Sequence, residues 1–295
     1  MKITVIGLGQ MGGNMALTLL KKGFDVNGID PVSQTRERLA QQGLTVSGPE
    51  SLPRSDVYLL SLPTSAHVED VIQNTPNLLS NAPKGSVIVD MSTSDPASTR
   101  TLATLVQDAG LHWLDAPVSG GPAGAAAGTL GILLGGDAAV IARIEPVLKA
   151  LSAKYTHVGG AGAGHVVKLA NNFLCAAHLI STAQAVAMAQ QAGVDPSTCL
   201  EGINSGSGRS GVSEVNFPKW VLSNTFDSGF TMGLMRKDLR LARDFGAQAG
   251  VQGGIFDAVM QTWHNDSAAI ADSDDFNRIV THFLKLSESI TPEAK

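Results

Sequence analysis

Short apolar runs alternate with amphipathic stretches through the first half of the chain. Residues 3–8, 25–30, 57–62, 87–90 and 113–118 read as strands, and residues 11–22, 33–42, 66–73 and 97–109 as the helices between them. Several of these strands, VYLLSL and SVIVDM among them, are apolar at successive positions. A strand apolar on both faces belongs in a parallel sheet covered by helices on each side. The alternation predicts βαβ units with right-handed crossovers. Two further strands are expected at residues 131–134 and 155–158, joined by a helix over 137–151.

The second half has no convincing strand. Residues 164–192 form one long helical pattern that stops at Gly193, and Asp195-Pro196 starts the next helix. Helices are expected over 211–222, 232–249, 255–266 and 274–286, with a frayed polar tail at 287–295. The chain therefore reads as an α/β domain, residues 1–163, followed by an all-α domain, residues 164–295, that opens on the long helix. The boundary falls in the GGAGAG run at 159–164.

Composition sharpens this picture at one point. Of 295 residues, 32 are glycine, without a period of three, so backbone must approach something closely at several places. The net charge of −5 and the absence of a Lys/Arg cluster argue against a nucleic-acid partner. Two cysteines make no disulfide scaffold, and the N-terminal apolar run is too short for a signal peptide, so a cytoplasmic location is expected. The most apolar long stretch, residues 166–188, is interrupted by Lys168, Asn171, Asn172 and His178. It reads as a buried helix, and no membrane association is expected.

Gly7-Leu8-Gly9-Gln10-Met11-Gly12 follows the first strand and opens the first helix. Gly7 allows a tight turn, Gly9 lets a pyrophosphate approach the backbone, and Gly12 lets helix and strand pack closely. Gln10 and Met11 lie within the same turn and count with the cofactor-binding residues. Asp30 ends the second strand, at the spacing expected of an acid that accepts from a ribose 2′-hydroxyl. A carboxylate there repels a 2′-phosphate, so NAD is preferred over NADP, although Arg36 lies within reach of a 2′-phosphate.

The opening VIGLGQMGGNMA resembles the start of the 3-hydroxyacid (β-hydroxyacid) dehydrogenases, a family that includes 3-hydroxyisobutyrate dehydrogenase and tartronate semialdehyde reductase. Three more blocks resemble it in order: DAPVSGGPAGAAAGTL (115–130), GAGHVVKLANN (162–172) and GFTMGLMRKDLRLA (229–242). The resemblance implies a Rossmann-type domain followed by a helical one, an active site in the cleft between them, and a homodimer or homotetramer in which each long helix packs on the partner subunit. It implies Lys168 as the catalytic lysine with Asn172 beside it, and Ser119, Gly120 and Gly121 as the substrate-binding loop. It also places Lys237 in the block that closes over the cofactor, and Leu62, Pro63 and Thr93 at the nicotinamide end of the site.

The residue types suit that chemistry. Lys168 and Asn172 share one helix face, one turn apart. By position alone Lys168 could equally be a lysine reaching out to solvent at a domain edge. The resemblance assigns it as acid/base, for which desolvation would lower its pKa toward neutrality. Asn172 could bind substrate, orient Lys168, or be a buried amide satisfied by a neighbouring loop. Ser119 offers a hydroxyl, and Gly120 and Gly121 offer unobstructed N–H groups to a carboxylate. Arg209 could fork onto an anionic substrate, or equally cap a helix or pair with Glu214. No metal is expected, because no His, Cys or Asp cluster has zinc-ligand spacing.

The implied reaction is hydride transfer between nicotinamide and a small 3-hydroxy acid or its semialdehyde, 3-hydroxyisobutyrate-like. The alternatives are a tartronate semialdehyde or sulfolactaldehyde reductase using NADH or NADPH, and a catalytically silent protein that senses dinucleotide. Lys168 argues against an imine reductase, which usually lacks that lysine. A 6-phosphogluconate dehydrogenase of the long type would need a much longer helical domain.

Overall fold

A computed structural model gives the structure of the protein and describes residues 1–74, 78–251, 253–265 and 269–285. The chain divides into two compact units, Met1–Lys168 and Leu169–Lys295.

The first unit runs β1 (Lys2–Ile6), α1 (Gln10–Lys21), β2 (Asp25–Ile29), α2 (Ser33–Ala40), β3 (Thr45–Ser47), β4 (Val57–Leu60), α3 (Ser65–Asn74), α4 (Leu78–Asn81), β5 (Val87–Asp90), α5 (Pro96–Asp108), β6 (His112–Asp115), β7 (Val118–Ser119), α6 (Gly121–Ala127), β8 (Leu130–Gly136), α7 (Ala138–Arg143), α8 (Glu145–Leu151), β9 (Ser152–Gly159), and then the first turns of α9 (Ala163–Gln191). The sheet order is β3-β2-β1-β4-β5-β6-β8-β7, with β9 beside β8, and the strands from β1 to β6 are parallel. The order reverses at β1, which opens a crevice at the carboxyl ends of β1 and β4, where doubly wound sheets bind ligands.

The apolar runs account for both faces of this sheet. Val57 and Leu59 of β4, Val87 and Val89 of β5, and Leu114 of β6 point into one core, which α1, α7 and α8 cover. Tyr58, Leu60, Ile88 and Trp113, the intervening residues, point into a second core covered by α3 and α5. Successive strand residues face opposite sides, so a strand with helices on both sides must be apolar throughout.

The structure departs from the expected elements mainly at prolines. The strand expected over 113–118 breaks into β6 and β7, because Pro117 has no N–H to continue a ladder. β7 then pairs antiparallel with β8. The helix expected over 137–151 is two, α7 and α8, broken at Ile144 just before Glu145-Pro146. Three elements were not expected: the three-residue edge strand β3, the four-residue helix α4, and the short helix α6, drawn from the small residues GPAGAAA.

The second unit contains the rest of α9, then α10 (Pro196–Asn204), a π-helix (Val212–Val221), α11 (Met232–Gln248), α12 (Gly254–Asn265) and a 3-10 helix (Phe276–His282). Asp195 caps α10, its Oδ1 accepting from the N–H groups of Ser197 and Thr198. The element expected as an α-helix over 211–222 is the π-helix. It contains Pro218, which lacks an N–H and would collide with the carbonyl four residues back in an α-helix. The helix expected over 274–286 is the shorter 3-10 turn, capped by Asp275, and its last expected residue and the tail 287–295 lie outside the described residues.

α9 presents Ala176, Leu179, Ala183 and Val186, a stripe at helical spacing, to a core shared with Met235 and Leu239 of α11 and with Trp263 of α12. The other faces of the helix are partly open. Leu174 is 51% exposed and Met188 73%, so α9 is half-buried and not the buried helix its composition suggests. It is long and apolar enough to cross a bilayer, with a mean hydropathy of 1.3 over its best 18 residues.

Candidate active site and cofactor-binding turn

The first turn needs its three glycines for different reasons. Gly7 stands at φ +89°, where a side chain is strained, and a Cβ on it would strike the carbonyl of Ser61. A Cβ on Gly12 would overlap the carbonyl of Gly7. Gly9, the N-cap of α1, has nothing within 4 Å of the place a Cβ would occupy, and no side chain caps the helix there. Gly7 and Gly12 are thus needed by the fold, while Gly9 leaves one face of the turn open to the N–H groups of α1. That is the shape a pyrophosphate requires. Gln10 is exposed, and Met11 packs against the core.

Asp30 is buried and uses both oxygens as a strut. Oδ2 accepts from the N–H of Leu8 and Oδ1 from that of Val32, each at 2.8 Å. The acid at the end of β2 therefore holds the glycine turn in place. Arg36 is tied to the same corner, its Nη1 donating to the carbonyls of Asp30 at 2.7 Å and Pro31 at 2.9 Å.

The ends of β4 and β5 are joined by Ser92, whose Oγ accepts from the N–H of Leu62 at 3.0 Å. Pro63 and Thr93 follow these two ends, Pro63 exposed and Thr93 half-buried. Below them lie two carboxylates that the sequence reading left without a role. Asp90 and Asp115 end β5 and β6 in register and are wholly buried. Asp90 accepts from the N–H of Ser92 and from Ser94 Oγ, both at 2.9 Å. Asp115 accepts from the N–H groups of Gly162 at 2.7 Å and His165 at 3.1 Å, so it caps the start of α9. Their signal was present in VIVD and HWLD, where an acid closes an apolar strand at the edge that binds ligands.

That cap sets the position of Lys168. The lysine is 7% exposed, and its Nζ donates to Ser119 Oγ at 3.0 Å. Ser119 ends β7, followed by Gly120 at φ +119° and Gly121 at φ +62°. The two glycines turn the chain sharply and leave Ser119 exposed at the turn. The structure thus brings together the catalytic candidate and the substrate-loop candidate.

In the second unit, Asn172 is buried, and its Nδ2 donates to Asp238 Oδ2 at 2.6 Å. Asn171 Nδ2 donates to Asn172 Oδ1 at 3.1 Å. Lys237 Nζ lies 3.0 Å from Asp238 Oδ1, an ion contact without hydrogen-bond alignment. Asn172 and Lys237 are therefore linked through one carboxylate. Arg209 Nε is 3.7 Å from Glu214 Oε1, with both side chains well exposed. A pair this exposed contributes about 0–1 kcal/mol. Among the described residues no three His, Cys, Asp or Glu side chains gather as a metal site would require.

Residues 2–159 match the family model described as the NAD binding domain of 6-phosphogluconate dehydrogenase. Residues 162–283 match the one described as NAD-binding of NADP-dependent 3-hydroxyisobutyrate dehydrogenase. A 2-(hydroxymethyl)glutarate dehydrogenase of Eubacterium barkeri is 39% identical over 252 residues, covering 85% of this chain and 84% of its own. The 2-hydroxy-3-oxopropionate reductase of Escherichia coli is 36% identical over 245 residues, 82% of this chain and 83% of its own. The solved structure of Mycobacterium tuberculosis 3-hydroxyisobutyrate dehydrogenase with L-serine has a TM-score of 0.86 at 32% identity, covering 95% of this chain and 98% of that one.

The glycine geometry predicts a contrast. Gly9→Val leaves unfolding by urea within about 0.5 kcal/mol of the parent and weakens dinucleotide binding at least tenfold by calorimetry. Gly12→Ala instead loses about 1–3 kcal/mol of stability through overpacking.

Proposed function

The chain belongs to the 3-hydroxyisobutyrate dehydrogenase family of 3-hydroxyacid oxidoreductases, and from that premise we propose that it uses NAD to interconvert a 3-hydroxy acid and its semialdehyde, with Lys168 as acid/base. The observation that carries this reading is the buried Lys168 ammonium donating to Ser119 Oγ at the glycine turn. A family member that only sensed dinucleotide would need neither group, and the relatives above are named as dehydrogenases and a reductase.

The named compounds suggest the substrate class. 2-(Hydroxymethyl)glutarate, 3-hydroxyisobutyrate, L-serine and 2-hydroxy-3-oxopropionate share a carboxylate at C1 and an alcohol or aldehyde at C3, and differ in the group on C2. The proposed substrate is that three-carbon skeleton. Ser119 Oγ with the N–H groups of Gly120 and Gly121 would hold its carboxylate, and Lys168 Nζ would meet the C3 oxygen. As the free amine Lys168 takes the hydroxyl proton on oxidation, and as the ammonium it gives a proton to the carbonyl oxygen on reduction. A bound dinucleotide supplies the hydride acceptor or donor. The residues proposed to hold it are Gly7, Gly9, Gln10, Met11, Gly12, Asp30, Leu62, Pro63, Thr93 and Lys237. Asn172, one helical turn after Lys168, is proposed to hydrogen-bond the substrate or orient Lys168.

Two features support NAD over NADP. Asp30 is anchored by two N–H groups, so its charge stays where a 2′-phosphate would have to sit. Arg36 is bonded to backbone carbonyls, which holds it back from pairing with such a phosphate.

The protein is also proposed to form a homo-oligomer through α9. Leu174 and Ile255, 51% and 73% exposed, border an apolar groove of about 880 Å³ lined by Phe173, Val251 and Phe256. A second copy of the same face would cover it.

Screening 3-hydroxyisobutyrate, glycerate, threonate, serine and dihydroxypropanesulfonate with NAD and NADP should find turnover of at least one. Lys168→Ala should then lower kcat by about 10²–10⁴-fold while leaving NAD affinity nearly unchanged; near-parental turnover would remove Lys168 from its role. Asp30→Ala loosens the turn for either dinucleotide, so the ratio is the test. Specificity for NAD over NADP should fall about tenfold or more, and an unchanged ratio sinks the ribose contact. Leu174→Glu with Ile255→Glu should convert a dimer or tetramer into a smaller species in sedimentation velocity; no change rules out this interface.

A further inference from the structure

His165 stands in the first turn of α9, three residues before Lys168, with no exposed surface. Its backbone N–H donates to Asp115 Oδ2 at 3.1 Å. Its ring makes two further bonds, Nε2 to the carbonyl of Ser92 at 3.1 Å and Nδ1 with Thr99 Oγ1 at 2.8 Å. A carbonyl oxygen only accepts, so Nε2 carries a proton and donates it to Ser92. The imidazole is thereby fixed at both nitrogens, to the end of β5 and to the first turn of α5. Asp90 Oδ2 lies 3.7 Å from Nε2.

Burial alone does not explain a histidine here. An apolar residue would fill the space without the cost of desolvating two ring nitrogens. What the ring adds is a link between two parts of the proposed site. Ser92 gives its carbonyl to His165 and its Oγ to the N–H of Leu62, so it holds the segment carrying Leu62 and Pro63. Asp115 fixes where α9 starts through two backbone N–H groups, and the ring of His165 adds two side-chain bonds that resist a roll of the helix about its axis. A roll of roughly 10° moves an ammonium about 8 Å from the axis by roughly 1.4 Å. A displacement of about 1 Å at a reacting centre costs up to about 100-fold in rate.

We propose that His165 is a positioning residue. By bonding β5 and α5 it sets the roll of the first turn of α9 and so directs Lys168 Nζ onto Ser119 Oγ. This rests on the reading of Lys168 as acid/base. Three variants separate positioning from packing. His165→Leu fills the volume without hydrogen bonds, His165→Gln restores a donor toward Ser92, and His165→Ala does neither. With the best hydroxy acid of the screen, Ala and Leu should each lose about 10–100-fold in kcat, with KM and the NAD dissociation constant within about threefold of the parent. Gln should recover to within about fivefold of the parent. Leu should exceed Ala in melting temperature without exceeding it in kcat. The proposal is overturned if kcat follows melting temperature across the three, if Leu turns over at close to the parental rate, or if Gln is as impaired as Leu. A crystal structure of the Leu variant gives a readout independent of turnover. Lys168 Nζ should leave hydrogen-bond distance of Ser119 Oγ, and a retained 3.0 Å contact overturns the clamp even if the parent oxidises no hydroxy acid, which would instead defeat the functional reading.

Discussion

The geometry of the site depends on one buried contact, the carboxylate of Asp115 against the N-terminus of α9. A buried carboxylate is costly unless its oxygens are bonded, and a helix start leaves N–H groups without partners and a partial positive charge. Each of these deficits satisfies the other. The fit is tight: a Cβ on Gly135 or on Gly164 would press against the same carboxylate. β6 can therefore receive the helix only because both flanking positions lack side chains. With that contact made, the position of Lys168 two turns into the helix is no longer adjustable along the axis, and Ser119, four residues after Asp115, is brought to it by the break at Pro117.

The same logic explains the glycine content better than flexibility does. Gly12 and Gly28 sit where a Cβ would meet a carbonyl or a leucine side chain, so they serve helix–sheet packing. Gly7, Gly120 and Gly121 occupy left-handed backbone at turns that carry proposed ligand groups. Gly9 alone in the first turn faces open space. Glycine is thus spent on close approach in the body of the fold and on open backbone at its carboxyl edge, and the two uses have opposite consequences for substitution.

Much of this was legible in the residue pattern. Strands apolar on both faces required a parallel sheet between helices, whereas Lys168 and Ser119, which lie 3.0 Å apart, were assigned to one site only by the family resemblance of their two blocks. What was not legible has physical causes. Pro117, Pro146 and Pro218 each lie in an otherwise continuous pattern, and periodicity does not register a missing N–H. Asp90 stood at the end of an expected strand and Asp115 inside one, and most of their partners are backbone N–H groups that no side-chain spacing reveals. Arg209 was open between three uses, and it is the proximity of Glu214, five residues on, that gives its exposed pair. The bonds of His165 reach residues 66 and 73 positions away, so no local spacing shows them.

α9 shows how two requirements share one helix. Its first turns are polar where they must be, with His165 bonded through both nitrogens and Lys168 through Nζ. Beyond them, Ala176, Leu179, Ala183 and Val186 build a core, and small residues on that stripe let neighbouring helices come close. The remaining apolar face, marked by Leu174 and Met188, has no such use within the second unit. A helix that needed only to present a lysine would end its apolar character at the core stripe. One that is apolar nearly all round, yet half-exposed, carries a cost in water that a covering surface removes. The same composition that makes α9 resemble a membrane span in length and hydropathy is thus accounted for by a start that carries the proposed acid/base, a core stripe and an exposed apolar face, proposed as the association face, laid along 29 residues.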